Sequence, residues 1–159
     1  MIAVELAVES PLWAALGDVD ALARRAVDAA LAVAPPSLSG ACEVAILLGD
    51  DAGLRELNRA WRGKDTATNV LSFPAAPQPG APGPRPLGDI ALAFETLQRE
   101  AEAEGKSLAD HASHLIIHGL LHLLGFDHET AQDAEDMEAL EIEALRRLGI
   151  ANPYRDLAA

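Results

Sequence analysis

The chain lacks several features that mark particular classes of protein. Only one of its 159 residues is a cysteine, Cys42, so no disulfide framework can form within it, as is typical of a reducing compartment. No apolar run approaches the ~18 residues that a membrane-spanning helix needs. The first basic residue is Arg24, whereas a secretory signal begins with positive charge. These absences predict a cytoplasmic protein with no membrane segment.

Basic residues are scarce and unevenly spread. The chain has 12 Lys and Arg against 25 Asp and Glu, a formal net charge of −13, which argues against a surface generally coated by nucleic acid. Four basic residues nevertheless lie close together, at Arg55, Arg59, Arg62 and Lys64. Because charges are screened beyond ~8–10 Å, this group can still contact phosphates, or it can be solvated helix charge. Seven acidic residues between 129 and 145, with no Lys or Arg among them, predict a solvated helix face.

Aromatic residues are also few, at 4% of a chain that is 50% hydrophobic, so the core must be built mainly from Leu, Ala, Val and Ile. The length suits one domain with a substantial core, and we predict a single domain over residues 1–159. Hydrophobic periodicity and helix-breaking residues predict about four strands (1–8, 41–48, 69–73, 87–93) and about five helices (19–33, 50–61, 95–104, 108–124, 130–148). Few strands followed by clustered helices indicate an α+β fold with a small mixed sheet.

The five histidines form the most informative pattern in the chain, because all lie between His111 and His128. Three are spaced His118-x-x-x-His122-x-x-Gly125-x-x-His128. Side chains four apart on a helix lie ~5–6 Å from each other, so both rings can reach one Zn²⁺ at ~2.0–2.1 Å. Gly125 can adopt the left-handed conformation that ends a helix, and the turn would return His128 to the same face. We therefore predict one Zn²⁺ per chain on these three histidines, with the open fourth position of a catalytic site.

The other two histidines receive different interpretations. His114 lies one turn before His118, which favours a structural residue or one that supports a metal ligand. His111 is interpreted as a solvated histidine near the start of the helix. A histidine-rich amphipathic helix that binds no metal is the alternative for the whole cluster.

The residue after the first histidine bears on the chemistry. Metzincin metalloproteases share the spacing of the three histidines and carry a Glu directly after the first, where it serves as the general base. In this chain that position is Gly119. The missing base argues against a peptidase, which remains an alternative together with other metal-dependent hydrolases.

Three segments taken together resemble the YbeY family of bacterial endoribonucleases, which are rRNA maturation factors. They are residues 57–74 (LNRAWRGKDTATNVLSFP), 87–90 (LGDI) and 118–128 (HGLLHLLGFDH). The resemblance runs in order from about Ala41 to Tyr154 and includes Met137. It departs at Ala67, where the family usually has proline, and at Phe126, where tyrosine is common.

The resemblance implies a metal-dependent endoribonuclease that cuts single-stranded RNA. It further implies a role in 16S rRNA 3′-end maturation and 70S ribosome quality control, with the ribosome and small-subunit assembly proteins as partners. Arg62 matches the family's essential arginine; it could bind a phosphate through two donors and stabilise charge in the transition state, or it could be a cation at a helix C-terminus. Arg59 and Lys64 are candidate substrate contacts. A ribosome-assembly factor with a structural zinc remains an alternative.

Overall fold

A four-stranded mixed sheet forms the base of the fold. The computed structural model describes residues 2–34, 41–76, 80 and 82–154, so Met1 of the first predicted strand and residues 155–159 of the predicted domain lie outside it. The strands are β1 (Ile2–Val8), β2 (Cys42–Gly49), β3 (Val70–Pro74) and β4 (Arg85–Ala93). Their spatial order is β1-β2-β4-β3, with β1, β2 and β4 parallel and β3 antiparallel to β4. The mixed sheet predicted from the sequence is confirmed.

The described residues also form five α-helices: α1 (Val19–Val33), α2 (Asp51–Arg62), α3 (Phe94–Glu104), α4 (Leu108–Leu123) and α5 (Ala131–Arg147). A short 3-10 helix at Pro11–Leu16 was not predicted. Four α-helices begin at a side chain that accepts a hydrogen bond from the amide three residues later, at Asp18, Asp50, Ser107 and Thr130. Such caps satisfy amides that have no partner within the helix, which explains why the helix starts could be predicted closely.

Strand β4 begins two residues before its predicted start. Glu43 pairs with Pro86, and the next residue, Val44, pairs with Gly88, so Leu87 is the extra residue of a bulge. A bulge is one of the few places where a sheet accepts proline. Pro86 therefore lies within the strand, although the sequence predicted that the strand would begin at residue 87.

Helix α4 lies at the centre of the domain. It contacts α1, α3 and α5 as well as β3 and β4, and its apolar side chains Ile116, Ile117, Leu120 and Leu121 are almost completely buried. A helix that is buried on most sides has little freedom to shift, because its packing partners surround it. The residues that α4 carries are therefore held on a rigid support.

The interpretation of His111 as a solvated residue is wrong. Its exposed fraction is 4%, and its Nε2 lies 2.8 Å from Oε1 of Glu100 on α3. Burial lowers the pKa of His111, although the contact with Glu100 opposes that shift. The first turn of α4 is covered by α3, which the spacing of the histidines alone did not reveal.

No helix in the described ranges combines the length and the apolar character needed to cross a membrane.

Candidate active site

The structure brings His118, His122 and His128 together. Each offers one ring nitrogen, and these three nitrogens lie within 4.8 Å of one another. His118 and His122 come from α4, and the chain then turns at Gly125, whose φ of 102° lies in the region that favours glycine. The amide of Phe126 donates to the carbonyl of Leu121 at 3.0 Å, which fixes this turn. The reversal expected at Gly125 is present, and the group could bind a metal ion.

The polar contacts of two of these rings suit a metal. Nδ1 of His122 donates to the carbonyl of Phe126 at 2.9 Å, and Nδ1 of His118 lies 3.4 Å from Oε2 of Glu141. With the proton on Nδ1, each ring has a lone pair on Nε2. The two Nε2 atoms are 3.0 Å apart, and two lone pairs that face each other at this distance are stabilised by a cation between them. The donor set therefore fits a divalent metal such as zinc.

The other two rings affect the protonation of His122. Burial lowers the pKa of His122, and the charges of His118 and His128 act in the same direction, while the hydrogen bond to Phe126 opposes them. A lowered pKa keeps the imidazole neutral at physiological pH, and neutral imidazole is the form that binds metal.

A buried carboxylate adjoins the histidines. Glu141 of α5 is 1% exposed; its Oε1 lies 2.5 Å from Nε2 of His114 and accepts a hydrogen bond from the hydroxyl of Tyr154 at 2.7 Å. Burial opposes ionisation of this carboxyl group, but the hydrogen bonds from His114, His118 and Tyr154 outweigh it and lower the pKa of Glu141 to about 2. Burial and the hydrogen bond to Glu141 raise the pKa of Tyr154.

Sequence reasoning missed Glu141, because it treated the acidic residues of α5 as a solvated face. That prediction is wrong for this residue. The signal was present in its spacing, since Glu141 follows Met137 by four residues and precedes Ala144 and Leu145 by three and four, and all three are buried. A carboxylate in line with an apolar stripe of a helix is expected to face the core.

Arg62 lines the same cavity as the three histidines. It is the last residue of α2, and one Nη2–H donates to the carbonyl of Ser72 on β3 at 2.8 Å. Its guanidinium carbon lies 5.5 Å from the centre of the Phe73 ring, a distance suited to a cation–π contact. The side chain therefore extends from α2 toward the sheet and is exposed to solvent.

One cavity of about 470 Å³ joins these groups. Arg62 lines it together with all three histidines of the group, and Asp127 and Ser72 also line it. The carboxylate of Asp127 also accepts from the amide of Glu129 at 3.2 Å, so this residue shapes the turn before α5. A cation and a candidate metal group facing one cavity can act on the same phosphate.

Two of the predicted substrate contacts lie elsewhere. Arg59 and Lys64 are exposed residues at the end of α2 and just after it, but neither is among the residues that line this cavity. The guanidinium of Arg59 forms an ion pair with Glu56. The structure thus places Arg62 in the candidate site and places Arg59 and Lys64 outside its cavity.

Gly119 has a packing role that accounts for the missing base. A Cβ atom built on this residue would lie 2.9 Å from Cγ2 of Ile90 and 3.1 Å from Oγ of Ser72. Real Cβ atoms essentially never approach a neighbour to 2.9 Å, because the overlap is strongly repulsive. A glutamate cannot occupy position 119 in this packing, so the metzincin arrangement of base and metal is excluded at that position.

Comparisons with known proteins identify the family of this chain. The family model described as endoribonuclease YbeY matches residues 14–149. The endoribonuclease YbeY of Rhodopseudomonas palustris (strain BisA53) is 49% identical over 158 residues, covering 97% of this chain and 91% of the relative. That of Dinoroseobacter shibae is 52% identical over 166 residues, covering 95% and 90%.

A solved structure supports the fold. The solution structure of a protein from Thermotoga maritima has a TM-score of 0.56 and 20% sequence identity to this chain, and the match covers 98% of this chain and 100% of the other. At this identity the likeness concerns the architecture alone. Together with the family match over most of its length, these findings establish that the chain belongs to the endoribonuclease YbeY family, whose members are hydrolases that act on RNA.

Proposed function

We propose that this chain, as one domain over residues 1–159, is a zinc-dependent endoribonuclease that cuts single-stranded RNA. The observation that carries the proposal is the single cavity shared by Arg62 and the three clustered histidines. Family membership supports RNA as the substrate. It also supports a cytoplasmic role in 16S rRNA 3′-end maturation and 70S ribosome quality control, with the ribosome and small-subunit assembly proteins as partners.

Zinc is the proposed metal, one ion per chain, bound by His118, His122 and His128. Three nitrogen ligands are typical of catalytic zinc, which keeps a fourth position for water or substrate. When bound, the ion would act as a Lewis acid toward a phosphate oxygen and would lower the pKa of a bound water to about 7.

Arg62 is the proposed phosphate-binding residue. Its guanidinium has five N–H donors in a planar fork, and the recorded hydrogen bond to Ser72 uses one nitrogen. The remaining donors can bind a phosphate oxygen and stabilise the charge that builds as the phosphodiester bond is cut. Anchoring to Ser72 and Phe73 holds the fork in place, so less side-chain entropy is lost when the phosphate binds.

Arg59 and Lys64 are proposed as contacts to RNA beyond the scissile phosphate. Both lie near the end of α2 that carries Arg62, and both are exposed. An exposed ion pair contributes little stability, so the pair of Arg59 with Glu56 can yield to a phosphate. Their expected effect is a salt-dependent gain in RNA affinity rather than in the cleavage step.

Two other functions remain to be separated from this one by experiment. A ribosome-assembly factor with a structural zinc would bind RNA without cutting it. A peptidase would need a general base other than a residue at position 119, where the packing against Ile90 leaves no room for a side chain.

The deciding experiment compares the cleavage of RNA and protein substrates by one sample. The sample is purified by two different methods in succession so that contaminating enzymes are removed. We expect cleavage of single-stranded RNA, little cleavage of a perfect RNA duplex, loss of activity with a chelator and recovery with Zn²⁺. Unfolded casein should remain intact under the same conditions. Stoichiometric zinc with no RNA cleavage would favour the assembly factor, and casein cleavage at a comparable rate would overturn the nuclease proposal.

A further inference from the structure

The carboxylate of Glu141 lies beside His118, one of the three clustered histidines. We propose that Glu141 is a positioning residue: it accepts a hydrogen bond from Nδ1–H of His118 and so turns the Nε2 lone pair of that ring toward the metal. The proposal rests on the metal site described under the proposed function, and it assigns a role to a residue outside the three histidines.

Burial of Glu141 calls for an explanation. A carboxylate removed from water is costly unless other groups replace its hydration, and this one is 1% exposed. It lies on α5 in an apolar stripe with Met137, Ala144 and Leu145, where a leucine would pack at lower cost. Stability alone therefore does not account for a charged group at this position.

The two oxygens of the carboxylate have separate partners. Oε1 is held by Nε2 of His114 at 2.5 Å and by the hydroxyl of Tyr154 at 2.7 Å. Oε2 lies 3.4 Å from Nδ1 of His118. Two groups thus fix the carboxylate from one side, and its other oxygen remains for the metal-ligand candidate.

Hydrogen-bond chemistry then determines the state of the ring. An ionised carboxylate only accepts hydrogen bonds, so the nitrogen of His118 that faces it must carry the proton. The lone pair of the neutral ring is then on Nε2, which points toward His122. His122 acquires the same tautomer from a backbone carbonyl, that of Phe126 at 2.9 Å. Unlike the carbonyl of Phe126, the carboxylate of Glu141 also adds a negative charge. This charge makes the ring of His118 a stronger electron-pair donor to a cation.

The test is the substitution Glu141→Gln. An amide has a single acceptor oxygen and cannot accept from His114, Tyr154 and His118 together. We expect the affinity for Zn²⁺, measured by competition with a chromophoric chelator, to fall about 10–100-fold, the usual effect of removing such a partner. The control is Glu135→Gln, which removes the same charge from an exposed position of the same helix and should leave the affinity unchanged.

A second readout separates positioning from general stability. Imidazole ¹⁵N shifts of the metal-free protein at mildly alkaline pH report the tautomer of each histidine. His118 should be predominantly Nδ1–H in the wild type and should lose that preference in Glu141→Gln, whereas His122 should keep it. A purely structural Glu141 would lower the melting temperature and leave the tautomer of His118 as it was.

The outcomes distinguish this inference from the metal proposal itself. Wild-type protein that binds no Zn²⁺ would refute the metal site, while the tautomer measurement would still decide the contact between Glu141 and His118. Zinc affinity of Glu141→Gln within about twofold of the Glu135→Gln control, with an unchanged His118 tautomer, would overturn the inference. If Glu141→Gln does not fold, the wild-type protein decides: His118 found predominantly as the Nε2–H tautomer in the metal-free protein would refute the role of Glu141, because a carboxylate that accepts from Nδ1 requires the proton on that nitrogen.

Discussion

The hydroxyl of Ser72 donates a hydrogen bond to the carbonyl of Gly119 at 3.2 Å. This contact joins β3 to α4 one residue after His118. The close approach is possible because residue 119 has no Cβ atom. The distance between the wall that carries Ser72 and the wall that carries the histidines therefore depends on this glycine.

Gly119→Ala should destabilise the protein although alanine is the better helix former. The added methyl group would meet Ile90 at 2.9 Å, and such overpacking typically costs about 1–3 kcal/mol, more than the ~1 kcal/mol that helix propensity returns. Urea unfolding monitored by circular dichroism measures the difference. A variant at least as stable as the wild type would show that α4 can move away from the sheet without cost.

Removing any one of the three clustered histidines should abolish stoichiometric metal binding. His118→Ala, His122→Ala and His128→Ala each leave two ligands, which bind zinc far more weakly than three. Elemental analysis after dialysis against buffer with trace zinc provides the measurement. His111→Gln is the control, since this histidine contacts Glu100 instead; full metal occupancy in any of the three alanine variants would refute the ligand set.

Arg62→Lys should lose most RNA cleavage while keeping the fold and the metal. Lysine retains the charge but not the two parallel donors, and loss of one oriented donor to a transition state typically costs about 10²–10³-fold in kcat. Arg55→Lys is the matched control on the same helix, because Arg55 forms an exposed pair with Asp65. Cleavage by Arg62→Lys at the wild-type rate would reduce Arg62 to a helix-end cation.

The metal-free protein should lose stability in acid through Glu141. Its pKa is lowered from 4.5 to about 2 in the folded state, so the unfolded state binds more protons between these values. The stabilisation is complete above pH 4.5 and is lost as pH falls toward 2. Glu141→Gln should therefore show a shallower decline of the free energy of unfolding across this window than the Glu135→Gln control, and equal slopes in the two variants would contradict the assignment.

Most of the correct sequence predictions rest on local patterns of residues. The helix starts at Asp18 and Asp50 were readable because each cap lies three residues from its partner. The grouping of His118 with His128 was readable for the same reason: helix geometry and the turn at Gly125 are set by neighbouring residues. Information that is local in the sequence could be used without knowing the tertiary structure.

The errors concern polar residues whose partners are distant in the sequence. Glu141 meets His114 across 27 residues, and His111 meets Glu100 on a separate helix. Their residue types predict exposure, and only the packing of α3 and α5 against α4 reverses that expectation. The position of Arg62 beside the histidines also depends on tertiary packing. It follows from the place of β3 between α2 and α4 and not from a spacing of residues along the sequence.

The turn at Gly125 divides the histidine group into two parts with different resistance to local opening. His118 and His122 belong to a helix whose neighbouring residues are buried on nearly every side, whereas His128 is exposed and follows the turn. Segments with few buried contacts open at a lower free energy than the core. A metal ion bound as proposed could therefore exchange by displacement of His128 alone, while His118 and His122 stay in place, without unfolding of the domain.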